Sequence, residues 1–198
     1  MIKSSNAKLT PVYYNYFKRY KLKVFVPLSH LDKLSTELSK VGAGIIGNYN
    51  QCSFRTTGIG TFKPLKNSTP FTGSLNKLTF TEEVKLEMEF DLKDRNQIID
   101  AMLEHHPYEE TAYEIYEFVK REKNPSGYIA ELPIKYSTDL FLRKFTELTD
   151  EIGISKKPIK KFIYLKDVDM NDEILKIAKK NKVNTVILES EKIKLLNI

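Results

Sequence analysis

The chain has 198 residues, 41% hydrophobic and 29% charged, enough apolar material for a real core and an ordinary charge content for a soluble α+β protein. No apolar run approaches the roughly 18 residues that span a bilayer, and no signal-length apolar stretch follows the opening MIKSSNAKLT. A single cysteine, Cys52, excludes an internal disulfide framework and fits a reducing compartment, so the expected location is the cytoplasm.

The net charge of +6 is unevenly placed. Residues 1–20 carry four basic and no acidic side chains, residues 21–118 carry 11 basic against 14 acidic, and residues 119–198 carry 17 against 12. The middle is therefore mildly acidic and the flanks are basic. A nucleic-acid surface needs Lys and Arg gathered on one face. Only Tyr13–Tyr20 has that flavour, and its composition equally suits a terminal arm packing on a neighbouring subunit.

In chain order, Lys21–Val26 alternates as a strand and is closed by Pro27. Ser29, with Asp32 three residues on, predicts a capped helix carrying Leu31, Leu34, Leu38 and Val41, ended by Gly42 and Gly44. Ile45–Phe62 reads as a strand turning through Gly58-Ile59-Gly60, and 63–76, rich in Pro, Ser, Thr, Asn and Gly, as a long excursion. Val84, Leu86, Met88 and Phe90 alternate with Lys85, Glu87, Glu89 and Asp91, which predicts one buried and one wet face. Ile98, Ile99, Met102 and Leu103 mark a second helix stopped by Pro107, and Thr111–Phe118 a last strand. The order strand, helix, strand, strand, helix, strand is the ferredoxin-like arrangement.

Lys120–Gly127 reads as a linker. Beyond it come an extended piece, Tyr128–Pro133, and a helix from Ser137 to about Asp150 with Leu140, Phe141, Phe145 and Leu148 inward. A strand–helix–strand unit follows: Lys161–Leu165, Asn171–Lys180 and Thr185–Leu188. So few elements bury little core alone, so this tail is expected to pack on another surface. The division is an arm at 1–19, a ferredoxin-like domain at 20–118, a linker at 119–127 and a partial α/β unit at 128–198.

The ferredoxin-like order has a consequence. It brings Pro27–His30, the Thr57–Thr61 reversal and His105–Glu110 to one end of the sheet, far apart in sequence though they are. A ligand site in this domain belongs there.

The segments Gly47-Asn48-Tyr49, Cys52-Ser53-Phe54, Gly58-Ile59-Gly60-Thr61-Phe62 and His106-Pro107-Tyr108-Glu109-Glu110 carry a resemblance. Together they resemble the PII/CutA-like domain inserted in the Nif-three-like family, dinuclear-metal hexamers that also bear a GTP cyclohydrolase-type name. Gly127–Pro133 and Lys160–Ile187 resemble, more weakly, the return into that family's metal-binding domain. The resemblance implies two metals held by a His-His pair and an Asp before the insert, and a His and Glu near the carboxyl end. Here residues 1–19 contain no His, Asp or Glu, no His follows residue 120, and Leu165–Met170 stands where the family has a Gly-rich turn. The chain reads as a reduced relative that keeps the insert without the metal centre.

Candidate ligand-binding residues are Asn48, Tyr49, Cys52, Gly58, Gly60, Thr61, His106, Tyr108, Glu109 and Glu110. Each has a plainer reading. His106 can ligate, transfer a proton or cap a helix; His30 and His105 read as surface residues. Cys52 is by default a small buried hydrophobe in mid-strand, with a soft divalent-metal site of Cys52, His106 and Glu109 as the rival. Gly58 and Gly60 serve a hairpin or let bare amides approach an anion. Glu109 and Glu110 lack a nucleophile to serve, so no catalytic residue is assigned. The expectation is a non-enzymatic homo-oligomer, a trimer through its sheet, that binds a small molecule or cation, with no cofactor assigned and a divalent metal as the alternative. The rivals are a metal-dependent hydrolase and a nucleic-acid binder through the flanks.

Overall fold

The computed structural model describes residues 6–145, 157–189 and 193–197. In chain order the elements are β1 (Lys8–Tyr13), β2 (Tyr16–Pro27), α1 (Leu31–Lys40), β3 (Phe54–Phe62), β4 (Thr79–Phe90), α2 (Arg95–His105) and β5 (Tyr113–Arg121). They continue as β6 (Gly127–Tyr136), α3 (Thr138–Phe145), β7 (Ile159–Lys166), α4 (Asp172–Asn181), β8 (Thr185–Glu189) and β9 (Ile193–Asn197). These make two compact units, Lys18–Lys120 and the segments flanking it.

The central unit has the ferredoxin-like order, a four-stranded sheet arranged β3-β4-β2-β5. Alternation explains which face is covered. Leu22, Val24 and Val26 of β2 and Val84, Leu86, Met88 and Phe90 of β4 are all buried, and α1 and α2 add Leu31, Leu34, Leu38, Ile98 and Met102 to the same core. Each such side chain contributes roughly 1.5–3 kcal/mol on leaving water. The register Val24↔Leu86 and Leu22↔Met88 puts these residues side by side on one face.

Five expectations need correction here. The Ser29 cap does not form: Leu28–His30 makes a 3-10 turn that runs directly into α1, and Ser29 Oγ bonds His30 Nδ1 at 3.0 Å. The expected strand Ile45–Phe62 begins only at Phe54, because Gly47 and Gln51 take positive φ and Ile46 bridges Tyr49 in a loop. Gly44 must be glycine there: its φ is +77°, and a Cβ would lie 2.7 Å from the Cys52 carbonyl. Gly58 and Gly60 do not turn the chain; they pair with Glu83 and Thr81 inside a regular ladder, and the reversal is the 63–78 excursion. Glu89 is buried rather than wet, and Leu103 is 51% exposed.

The flanking unit is a five-stranded sheet, β1-β6-β7-β8-β9, in which β7 and β8 are parallel across α4. Asn171 caps α4 by accepting the Ile174 N–H, and Lys182 ends it in the left-handed conformation. This unit has more structure than the sequence suggests, because β1 from the amino-terminal segment pairs with β6 and β9 adds an edge. Phe141 and Phe162 meet edge-on in its core at 5.0 Å, whereas Leu140, expected inward, is 52% exposed. Leu148 lies outside the described residues, as does the helix beyond Phe145. No helix among the described residues is long and apolar enough to cross a membrane.

Candidate functional site

β3 and β4 run on past the end of β2. Gly58–Phe62 pairs with Thr79–Glu83, while β2 stops at Pro27 opposite Glu83. The space beside this overhang is closed by the excursion after β3 and by the loop between α2 and β5. The result is a cleft of about 400 Å³. Its apolar walls are Phe25, Phe62, Pro64, Pro70, Phe71 and Tyr108, and its charged residues are Glu83, Glu109, Glu110 and Lys63.

Tyr108 is the centre of an aromatic array. Its ring centroid lies 5.0 Å from His106, 6.0 Å from Phe71 and 6.2 Å from Phe62. Its hydroxyl is closed off from solvent with Glu83 and Thr81 nearby, and among the described residues it has no hydrogen-bond partner of sound geometry. Burial, and then Glu83 beside it, push that hydroxyl up to about 12. It therefore stays a neutral hydroxyl at physiological pH.

His106 does not face the cleft as a free imidazole. Its Nδ1 accepts the Tyr108 backbone N–H at 3.1 Å, which leaves the proton on Nε2 to donate to the Phe25 carbonyl at 2.9 Å. Burial holds its pKa below the ordinary histidine value, against the opposing pull of the Phe25 carbonyl. With both nitrogens engaged, His106 is a strut that ties the α2–β5 loop to β2 and positions Tyr108. Among the readings open in the sequence, the geometry favours the structural one.

Glu109 holds the opposite wall. Both of its oxygens accept the Thr69 backbone N–H at 3.0 Å, fastening the excursion to the α2–β5 loop. Phe71 on the excursion also meets His30 edge-on at 5.3 Å, so His30 is a packing residue rather than a bare surface one. Gly60 is required by closeness: a Cβ there would collide with the Glu83 carboxylate.

The structure thus gathers Gly60, Thr61, Tyr108, Glu109 and Glu110 around one cleft, with His106 behind it. Gly58 lines a neighbouring depression with Thr57, Ile59 and Leu28. Asn48, Tyr49 and Cys52 lie elsewhere, on the loop before β3; Tyr49 is 75% exposed, and the Cys52 N–H donates to the Gly44 carbonyl at 2.9 Å. Cys52 is therefore not a mid-strand residue. It does not join His106 and Glu109 in a ligand set, and among the described residues no group of three or more such side chains is placed to hold a metal. Phe25, Phe71 and Glu83 were missed in the sequence. The Pro70-Phe71 pair inside a polar excursion was the available signal for one of them.

A second charged group sits at the other end of the same sheet face. Glu89 accepts Arg19 Nε at 2.8 Å and Lys120 Nζ at 2.8 Å, and Arg19 also pairs with Asp91. Arg19 donates to the Ile45 carbonyl at 3.0 Å, pinning the loop before β3.

No family model matches the chain. A "GTP cyclohydrolase 1 type 2 homolog" from Halalkalibacterium halodurans is 46% identical over 97 residues, 49% of this chain and 26% of that protein. Its namesake from Bacillus subtilis is 42% identical over 113 residues, 57% of this chain and 30% of that protein. A crystal structure of a Bacillus cereus protein related to NIF3 superposes with a TM-score of 0.53 at 27% identity, covering 93% of this chain and 50% of that one. The chain is thus similar, over part of their length, to proteins named GTP cyclohydrolase 1 type 2 homolog and to one described as related to NIF3. It spans only about a quarter to a third of the length of these curated relatives.

Proposed function

We propose that the chain is a non-enzymatic, homo-oligomeric small-ligand-binding module, with the ligand held in the cleft between β3, the excursion and the α2–β5 loop. The observation that carries this reading is the cleft itself. Phe25, residues drawn from 60–71, Glu83 and residues drawn from 108–112 converge on about 400 Å³ of aromatic-walled space, a volume in the usual range for small-molecule sites. Two of its hydroxyls favour binding over chemistry: Ser68 donates to the Leu65 carbonyl at 2.7 Å and Tyr108 remains protonated.

Assembly is supported by the edges of the central sheet. β3 and β5 are both edge strands, and β3 leaves Phe54 66% and Ile59 71% exposed along nine residues of open ladder. Such edges invite pairing, and joining one edge to the other around a threefold axis removes both. Light scattering should return three times the 23.0 kDa chain mass. A thermal-shift screen of small molecules on the same particle should find stabilising ligands whose effect Phe71→Ala abolishes. A monomer, or a screen without such ligands, would contradict the reading.

A further inference from the structure

Glu83 is a half-buried carboxylate to which, among the described residues, no ion pair reaches. It is pressed against Gly60 on one side and stands beside the buried Tyr108 hydroxyl on the other. Carboxylates in apolar surroundings are ordinarily paired. The faces of aromatic rings add a second attraction for positive charge, and Phe62, Phe71 and Tyr108 form such a group at the same place.

From this geometry we infer that the cleft takes a small organic cation, an ammonium group carried on an apolar body of about one aromatic ring. This inference rests on the cleft being a ligand site and names the class of ligand. An ammonium N–H can donate to Glu83, the carboxylate that no cation of the described residues reaches. The body of the ligand then lies against Phe25, Phe62 and Phe71.

Competing classes fit less well. Three carboxylates against one lysine line the cleft, so an anion such as phosphate meets net repulsion. A bare Mg²⁺ or Ca²⁺ needs about six or more oxygen ligands. Here Glu109 is engaged by the Thr69 N–H, the walls are aromatic, and the described residues form no metal-binding group. A neutral apolar ligand fills the walls but leaves Glu83 unpaired.

Three probes of one shape separate these cases: phenethylammonium, phenethyl alcohol and phenylacetate, titrated calorimetrically into the full chain. The ammonium should bind at least about tenfold more tightly than the alcohol, and the acid should not bind. Glu83→Gln should lower the ammonium's affinity to that of the alcohol and leave the alcohol's unchanged, whereas Phe71→Ala should weaken both. If the alcohol or the acid binds as well as the ammonium, the cleft remains a ligand site and the cation assignment is wrong. If none of the three binds at millimolar concentration, the assignment and the ligand-site reading both fall. Should Glu83→Gln fail to fold, judged by its circular dichroism, the three-probe series on the native chain decides the question alone.

Discussion

Glu83 and Glu89 stand on the same face of β4, and their surroundings could hardly differ more. Glu89 is 9% exposed and held by Arg19 and Lys120. Glu83 lies against a glycine and an aromatic array, and no cation of the described residues reaches it. A neutralised buried charge fixes geometry: through Arg19 it anchors the Ile45 carbonyl and the loop before β3. An unneutralised one in a cleft is an open valence for something that arrives from outside. The two ends of one strand thus divide the work, structure at one and recognition at the other.

Breaking the structural end should cost most. Arg19→Met leaves Asp91 and Glu89 short of their shared cation, and a broken buried pair costs about 3–5 kcal/mol; urea unfolding should show a loss of that size, and a change under about 1 kcal/mol would mean the cluster is a bystander. Next comes Met88→Ala, midway along the buried side of β4, where Met88 is 1% exposed and its Cε packs close to Gly44. Truncation should cost roughly 2–5 kcal/mol, and a near-neutral result would place Met88 outside the core.

The smallest effect is a pH dependence at the cleft end. Burial holds the folded-state pKa of His106 below 6.5. The unfolded chain therefore binds this proton more readily, so the stability tied to His106 is whole above about 6.5 and is lost as pH falls through the depressed folded value. Chemical unfolding of the native chain and of His106→Asn across this window should show the steeper fall in the native chain. Equal slopes would mean the imidazole is not held neutral.

Much of the central unit was legible because its strands alternate. Val84 to Phe90 announces a half-buried strand, and the order of elements then dictates which loops share an end. That reasoning placed Gly60, Thr61 and the His106–Glu110 loop together without coordinates. What it could not see is pairing between distant charges. Nothing local in the sequence marks Glu89 as buried or Glu83 as unpaired, because the difference lies in Arg19 and Lys120, 70 and 31 residues away. Gly58 and Gly60 misled for a related reason: glycine marks both turns and close approach, and at Gly60 the approach is by a side chain of the neighbouring strand. The five-stranded sheet escaped notice because β1 belongs to it from the far end of the chain.

The division of β4 is tested most directly by melting Glu83→Gln and Glu89→Gln side by side, each with and without phenethylammonium. Glu83→Gln should melt near the native temperature and lose the ligand's stabilising shift. Glu89→Gln should melt well below the native temperature and, where folded, keep that shift. The reverse pattern, with Glu83→Gln unstable or still responsive and Glu89→Gln stable, would contradict the account.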